Sequence, residues 1–226
     1  MNVAVLGTGM VGRTLAAKFA GLGHQVNVGT RDVASTATRT DPDAMGNPPY
    51  SAWAASHPAV RLATFAEAAA DAELIVNATS GHVSLAALQA AGQEHLAAKV
   101  LLDVANPLDF SAGMPPTLFV KDTDSLGEQI QAAFPQLKVV KALNTLTAAL
   151  MTNPRQLADG DHSVFICGND ADAKKTVSGI LESFGHGDII DLGDITAARG
   201  TEMYLPIWLR LMGTLSTPIF NVKVVR

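Results

Sequence analysis

The chain is poor in cysteine, in aromatic side chains and in charge. Its one cysteine, Cys167, ends an apolar run that begins at Ser163, so no internal disulfide can form and a buried thiol is expected. A cysteine-poor composition is typical of reducing compartments, and we expect a cytoplasmic protein. Charged residues form 16% of the 226 residues and aromatic residues 5%, and the net charge is −5 without a basic stripe. This pattern argues against nucleic acid as a partner.

Long apolar runs and metal-ligand motifs are also missing. The longest apolar stretch near the carboxyl end, Tyr204 to Met212, contains Pro206 and Arg210, whereas a membrane-spanning helix needs about 20 apolar residues. The first predicted core strand starts directly after Met1, so we expect no signal peptide. None of the six histidines pairs with cysteine or with another histidine at metal-ligand spacing. We therefore expect no membrane partner and no bound metal.

The chain does contain a strand, a glycine-rich turn and a helix at its amino end. The apolar segment Asn2 to Leu6 precedes the sequence GTGMVG at residues 7–12, and a helix with a periodic apolar face follows. In such a unit the first glycine permits a tight turn, the second lets the backbone approach a pyrophosphate, and the third allows the helix to pack closely on the sheet. The apolar face of the helix consists of Val11, Leu15, Phe19 and Leu22. The motif predicts a dinucleotide-binding unit with these cofactor-binding residues: Gly7, Thr8, Gly9, Met10, Val11 and Gly12.

The residues after the second strand favour NADP(H). This strand, Gln25 to Val28, leads into Gly29, Thr30 and Arg31, where NAD-binding proteins usually carry an acidic residue for the ribose 2′-hydroxyl. A threonine hydroxyl and a guanidinium can instead donate to a 2′-phosphate. Asp32 follows one residue later, and it either caps the next turn or points to the ribose and permits NAD. We predict that Thr30 and Arg31 bind the 2′-phosphate.

Short apolar runs alternate with helical segments along the chain. This alternation predicts an α/β fold with a doubly wound, mostly parallel Rossmann sheet, in which ligands bind outside the carboxyl ends of the strands. Further strands are predicted at Val60–Ala63, Leu74–Asn77, Val100–Val104 and Lys138–Leu143. The residues that follow these strands either form turns only or contact cofactor and substrate: Thr79, Ser80, Asn106, Pro107, Asn144 and Thr145.

Four connecting segments receive specific predictions. Val33 to Pro49 is polar and lacks apolar periodicity, which predicts a long loop. Leu108 to Asp124 is rich in glycine and proline, and it is predicted to be a loop long enough to cover an active site. Thr64 to Glu67 and Ser125 to Glu128 each have the pattern of a capping box that begins a helix.

The chain is predicted to divide into an NADP-binding Rossmann domain, residues 1–150, and a small C-terminal α/β lobe, residues 151–226, that completes the substrate cleft. The predicted elements of the lobe are a strand Ser163–Cys167, a helix capped by Asn169, a strand Asp188–Leu192 and a last helix from about Thr196 with a kink at Pro206. The apolar face of the last helix forms either core or a substrate wall or subunit interface: Met203, Ile207, Trp208, Leu211 and Met212.

No side chain is predicted to act as a general acid or base. His82 is the only histidine near the carboxyl end of a strand, and a solvent-exposed place in the first turn of a helix explains it better than catalysis. Lys141 lies inside a strand, and neither a Tyr-x-x-x-Lys pair nor a Gly-x-Ser-x-Gly motif occurs. Such a chain suits hydride transfer between two rings held face to face, in which the protein supplies proximity and orientation.

Together these motifs resemble the coenzyme F420-dependent NADP oxidoreductase family over nearly the whole chain. The resemblance is carried by residues 4–12, 28–31, 141–145, 167–170 and 220–225 and by Arg199, Glu202, Pro206 and Met212. It implies hydride exchange between NADPH and the deazaflavin coenzyme F420, which stack between the two lobes of a homodimer. It also implies that residues 8–12 hold the pyrophosphate, that Ala78, Thr79 and Ser80 line the nicotinamide, and that the last helix lines the deazaflavin.

Two places depart from the pattern of that family. Residues 79–81 read Thr-Ser-Gly where the family often has a bulky apolar residue, proline and an aromatic residue, and Asn144 replaces a frequent histidine. Both lie in the predicted substrate region. The alternative functions are therefore NADPH-dependent reduction of another small substrate, such as an imine or a 2-oxo acid, and non-catalytic NADPH binding. Larger imine and hydroxyacid reductases append an all-helical domain, whereas β and α segments alternate at the end of this chain.

Overall fold

The computed structural model describes residues 1–42 and 46–226, and its centre is an eight-stranded sheet. The strands are β1 (Asn2–Leu6), β2 (Gln25–Thr30), β3 (Val60–Thr64), β4 (Leu74–Asn77), β5 (Val100–Asp103), β6 (Leu108–Asp109), β7 (Thr117–Leu118), β8 (Lys138–Ala142), β9 (Ser163–Gly168) and β10 (Asp188–Asp191). The sheet order is β10-β9-β8-β5-β4-β1-β2-β3, and β6 pairs only with β7 in a separate antiparallel hairpin. The predicted α/β fold with a mostly parallel sheet is confirmed.

Helices cover both faces of the sheet because the buried strands are apolar on both sides. Along β1, Val3 and Val5 belong to one hydrophobic cluster, while Ala4 and Leu6 belong to the other. The helices are α1 (Met10–Gly21), α2 (Val33–Thr38), α3 (Tyr50–Ala55), α4 (Phe65–Ala70), α5 (Gly81–Ala91), α6 (Gln93–Leu96), α7 (Leu126–Ala133), α8 (Ala148–Thr152), α9 (Ala171–Phe184), α10 (Ala198–Met203) and α11 (Leu205–Leu215). None of the described helices combines the length and the apolar composition that a bilayer crossing requires.

Strands from residues after 150 extend the same sheet. β9 pairs antiparallel with β8, and β10 pairs parallel with β9, so these two outer strands run opposite to the rest. The carboxyl-terminal tail also joins β9, because the backbone N–H of Ser163 donates to the carbonyl of Val222 at 2.9 Å. The six mutually parallel strands are β3, β2, β1, β4, β5 and β8 in sheet order. Their carboxyl ends form one edge of the sheet, and the carboxyl ends of β9 and β10 lie at the opposite edge.

Several local predictions are confirmed. Thr64 and Glu67 form the complete capping box of α4, in which each side chain accepts a backbone N–H of the other residue. Helix α9 ends at Gly185, which has a φ of +107°, as a left-handed C-cap requires. The buried face of α9 is the predicted one: Ala173, Val177, Ile180, Leu181 and Phe184.

Other local predictions are wrong. The segment Val33 to Pro49 is not a continuous loop, since α2 begins after Asp32, whose carboxylate accepts the N–H of Ser35 at 2.9 Å. Part of this segment, residues 43–45, lies outside the described residues. The predicted loop from Leu108 to Asp124 contains the hairpin β6–β7. Leu22 of the predicted apolar face is 41% exposed.

Two helix starts also differ from prediction. Ser125 caps α7 by accepting the N–H of Glu128, but its own N–H donates to Asp124, and the Glu128 carboxylate binds Arg199 instead. The box is therefore half formed, since the Glu128 carboxylate accepts from the Ser125 hydroxyl and from Arg199, while the Ser125 N–H donates to Asp124. Helix α9 is capped by Asp170, while the Asn169 side chain accepts the N–H of Ile195.

Candidate functional site

Only glycine fits at two tightly packed positions after β1, one in the turn and one in the first turn of α1. Gly7 has a φ of +120°, and a Cβ there would lie 2.5 Å from the carbonyl oxygen of Ala78. A Cβ on Gly12 would clash with the carbonyl oxygen of Gly7. These two glycines bring β1, α1 and the turn after β4 into direct contact, as the motif predicts.

Gly9 is different, because beyond Gly9 itself and its two chain neighbours no atom of the described residues lies within 4 Å of where its Cβ would be. Gly9 is the N-cap of α1, and its extended backbone leaves the first amides of the helix without a side-chain cap. Unpaired N–H groups and the positive end of the helix dipole bind anions. The open space over Gly9 therefore fits the approach of a pyrophosphate, which supports the role predicted for this residue.

A cleft of about 470 Å³ extends from this turn across the carboxyl ends of β2, β1 and β4. The part of the cleft that the end of β2 and α2 form, called its polar end, carries hydroxyl and guanidinium groups, and the part that Ala78, α4 and α5 form, called its apolar end, is rich in alanine. The polar end is lined by Thr30, Arg31, Asp32, Ser35, Thr36 and Arg39. The apolar end is lined by Phe65, Ala78, Val83, Ala86, Ala87 and Ala90. A cationic end beside an apolar slot fits a phosphorylated ribose next to an aromatic base.

The hydrogen bonds at the polar end determine which of its side chains remain available to bind a ligand. The hydroxyls of Thr30 and Thr36 bond to each other at 2.8 Å and are both buried. Asp32 caps α2, so the capping alternative for this residue is the observed one. Arg31 and Arg39 are exposed on the cleft, and no hydrogen bond or ion pair to another described residue holds either guanidinium. Among the described residues at this end, the two arginines are therefore the cations whose guanidinium groups have no protein partner.

Ser35 and Arg39 are lining residues that sequence reasoning missed. Both lie in the segment predicted to be a loop, and α2 brings them back to the end of β2. The signal that could have indicated this helix is Asp32 three residues before Ser35, which is the spacing of an N-cap.

The turn after β4 is fixed by side-chain hydrogen bonds that are buried or half-buried. Thr79 donates its hydroxyl to the Asn77 side-chain oxygen at 2.7 Å and bonds to the Ser84 hydroxyl at 3.0 Å. The Asn77 amide donates to Asp103 at the end of β5, at 2.8 Å. The wall formed by residues 78–80 thus depends on the neighbouring strand.

Lys141 lies at the centre of a buried ion network. Its ammonium is 2.8 Å from carboxylate oxygens of both Asp103 and Glu202, and all three side chains are at most 2% exposed. Burial alone lowers the pKa of Lys141, but the two carboxylates outweigh it and raise the pKa above its ordinary value. Glu202 of α10 also accepts the N–H groups of Leu126 and Gly127 at the start of α7. Lys141 is therefore a charged structural group and not a free base.

Asn106 and Asn144 pair beyond the ends of β5 and β8. The Asn106 amide donates to the carbonyl of Asn144 at 2.8 Å, and the Asn144 amide donates to the Asn106 side chain at 3.0 Å. Leu143 precedes this pair with a φ of +62°, which turns the chain sharply out of β8. Gly81 allows the turns to pack, since a Cβ there would clash with the Asn106 carbonyl.

The structure brings some of the predicted site residues together and leaves others apart. Eight predicted cofactor-binding residues line the cleft: Gly7, Thr8, Gly9, Thr30, Arg31, Ala78, Thr79 and Ser80. Six lie outside its lining: Met10, Val11 and Gly12 in α1, and Asn106, Pro107 and Asn144 farther along the sheet edge. Thr145, which follows Asn144, is buried.

The three predicted substrate-binding residues lie on α10 and α11, away from the cleft. Met203 and Ile207 are 37% and 56% exposed, and Trp208 stacks on Phe220 with 5.3 Å between ring centroids. Helix α11 borders a groove with the segment that includes β7, lined by Pro115, Leu118, Pro206 and Leu209 among others. Tyr204 separates α10 from α11, and Pro206 lies in the first turn of α11, where proline is tolerated.

Other titratable groups near the site have local partners. His82 is exposed at the start of α5, stacks on Phe119 and lies 3.8 Å from Asp109. Burial raises the pKa of the Cys167 thiol to about 12, so this cysteine is a core residue. Across residues 1–42 and 46–226, no group of three or more His, Cys, Asp or Glu side chains is placed to hold a metal ion.

The fold and the cleft define a Rossmann-type dinucleotide-binding protein. A model of the family described as NADP oxidoreductase, coenzyme F420-dependent, matches residues 2–107. A crystal structure of a candidate F420-dependent NADP reductase from Arthrobacter sp. FB24 is 60% identical, with a TM-score of 0.96 and full coverage of both chains. The chain belongs to the coenzyme F420-dependent NADP oxidoreductase family.

Two curated proteins are more distant relatives. The metalloreductase STEAP3 of Rattus norvegicus is 32% identical over 92% of this chain and 38% of its own length. The F420-dependent NADP reductase of Methanocaldococcus jannaschii is 28% identical over 53% of this chain and 53% of its own length. The chain thus spans about half or less of the length of these two relatives.

Proposed function

We propose that this protein transfers a hydride directly between NADPH and the deazaflavin coenzyme F420. The observation that carries the proposal is the cleft, in which the open amide end of α1 adjoins the guanidinium groups of Arg31 and Arg39, which no residue in ranges 1–42 and 46–226 engages. F420 as the second substrate is supported by the description of the family and by the names of the Arthrobacter and Methanocaldococcus proteins, whereas STEAP3 is named a metalloreductase. We also propose that the chain divides into a Rossmann domain, residues 1–150, and a lobe, residues 151–226, that completes the site of the second substrate.

NADPH is proposed to lie across the carboxyl edge of the sheet. Its 2′-phosphate would contact Arg31, Ser35 and Arg39, the adenine would occupy the alanine-rich end of the cleft, and the pyrophosphate would meet the amides after Gly9. The nicotinamide half would then continue from β4 towards β5 and β8, where Asn106 and Asn144 pair. When bound, the nicotinamide supplies the hydride chemistry, and the chain's own residues bind and orient the two substrates.

Turnover with F420 tests the proposal. Purified protein is mixed with NADPH and oxidised F420, and the loss of deazaflavin absorbance is followed. We expect stoichiometric loss of absorbance that requires the protein. Tight NADPH binding without turnover would contradict F420 as the acceptor and would favour another small substrate, such as an imine or a 2-oxo acid, or a non-catalytic role.

We also propose a homodimer in which the α10–α11 face is covered by a second copy. Met203, Ile207 and Leu215 on these helices are between 37% and 56% exposed, and Phe110 and Met114 on the nearby segment are 52% and 66% exposed. Light scattering on the purified protein should give twice the monomer mass of 23.5 kDa. A monomer whose mass does not change with concentration would contradict the dimer.

A further inference from the structure

The ion network around Lys141 joins the turns that border the predicted nicotinamide half. We define the Lys141 network as Asn77, Asp103, Lys141 and Glu202. Through Asn77 it holds Thr79 after β4, and Asp103 accepts the N–H of Ala105 after β5 at 3.2 Å. Lys141 also donates to the carbonyl of Ala105 at 2.6 Å, so both polar backbone groups of this residue are held.

The order of strands places this network beneath one particular half of the dinucleotide. The cleft with Arg31 lies at β2, and the amide end of α1 lies at β1, which are neighbours in the sheet. A dinucleotide that starts at β2 and crosses β1 must continue over β4, β5 and β8. Asn77, Asp103 and Lys141 come from these last three strands, one from each.

The network also reaches the elements proposed for the second substrate. Of the four members of the network, Glu202 lies on α10, and one residue separates the end of α10 from the start of α11. Glu202 accepts from Lys141 and from the first amides of α7. Glu202 therefore links α10 to Lys141 and, through Asp103 and Asn77, to the turns after β4 and β5.

We propose that the Lys141 network is a positioning device that sets the nicotinamide half of the cofactor against the second-substrate side. A buried ion triad is weak evidence for stability, since the desolvation of three charges offsets much of their attraction. Its fixed geometry instead defines where the backbone of Thr79 and Ala105 lies. This inference rests on the proposed binding of NADPH in the cleft, but not on F420 as the second substrate.

Hydrogen exchange on the unaltered protein tests the coupling. Because linkage is reciprocal, a half-cofactor that is positioned by the network must also stabilise the network. We expect NADPH to slow exchange of the Leu126 and Gly127 amides, which donate to Glu202, by about fivefold or more relative to 2′,5′-ADP, which lacks the nicotinamide. The Ala173 amide, which caps α9 on Asp170, is the control and should respond equally to both ligands. Equal protection of Leu126 and Gly127 by the two ligands would overturn the inference.

A variant at the far end of the network gives a second readout. Glu202→Gln removes the charge while retaining the size, and it does not touch the cleft. We expect the ratio of the NADPH and 2′,5′-ADP dissociation constants to rise by about fivefold or more, with a smaller change in nicotinamide emission on binding. Partial unfolding weakens both apparent affinities by the same factor, so the ratio isolates positioning. An unchanged ratio and an unchanged emission would show a merely structural triad.

The two arms separate failure of this inference from failure of the proposed function. Unaltered protein that binds neither NADPH nor 2′,5′-ADP would overturn the proposed cofactor site and this inference with it. Unaltered protein that binds both ligands, with no difference between them at Leu126 and Gly127, would overturn only the positioning role. If Glu202→Gln does not fold, the exchange measurement decides alone, because it needs no variant.

Discussion

Replacement of Arg31 by alanine should weaken NADPH binding and leave NADH binding unchanged. Arg31 is exposed on the cleft, and no acceptor within the described part of the chain engages its guanidinium. Its loss should therefore not disturb the fold. A hydrogen bond from a charged group contributes about 1.5–3 kcal/mol. Because Arg31 is exposed to solvent, we use the lower value, which corresponds to about a tenfold increase in the NADPH dissociation constant.

Calorimetric titration of both cofactors measures this discrimination directly. Arg39→Ala should give a similar loss for NADPH, and the double variant should lose most of the preference for NADPH over NADH. Arg155→Ala removes an exposed guanidinium of the 3₁₀ turn at residues 154–156 and is the matched control. If Arg31→Ala weakens NADPH and NADH by the same factor, Arg31 does not bind the 2′-phosphate and the assignment of this end of the cleft is refuted.

Three further predictions follow from individual residues. Gly12→Ala should lower the free energy of unfolding by about 2 kcal/mol, because the new Cβ would clash with the backbone. Gly9→Ala should leave thermal unfolding unchanged and weaken NADPH binding. Equal melting temperatures for the two variants would contradict this. Burial raises the pKa of the Cys167 thiol to about 12, so it should react with a thiol reagent at pH 8 only after the protein is unfolded in guanidinium. Rapid labelling of the folded protein would refute the burial of Cys167. Hydrogen bonds from Ser163 and Arg226 hold the pKa of Asp188 well below its ordinary value of 3.8, so the ionised carboxylate stabilises the fold above that pH and this stabilisation is lost as the pH falls. Asp188→Asn should therefore reduce the free energy of unfolding at pH 7 and not at low pH. A difference between variant and unaltered protein that does not change with pH would contradict this direction.

The strands of the fold could be predicted from sequence because their signals are local. Leu74 to Asn77 is a short apolar run between polar turns, and the structure has this strand with the predicted bounds. Helix α2 could not be predicted in the same way, since its sequence VASTAT has no apolar periodicity. Its formation depends on the Asp32 cap and on burial of Thr36 against Thr30, and the latter contact exists only after folding.

In the candidate site, too, local features could be predicted from sequence and long-range contacts could not. The glycine motif specifies its own geometry, because Gly7 and Gly12 are required by contacts within a few residues and with one adjacent turn. The Lys141 network was missed because a lysine inside a strand has no local pattern that names its partners. Asp103 and Glu202 are distant in sequence, and only the pairing of β5 with β8 and the docking of α10 bring them together.

A crystal structure with NADP⁺ bound tests the central claim most directly. The account predicts the 2′-phosphate between Arg31, Ser35 and Arg39, with the pyrophosphate on the amides that follow Gly9. A cofactor bound outside this cleft, or one whose 2′-phosphate points away from both arginines, would contradict it.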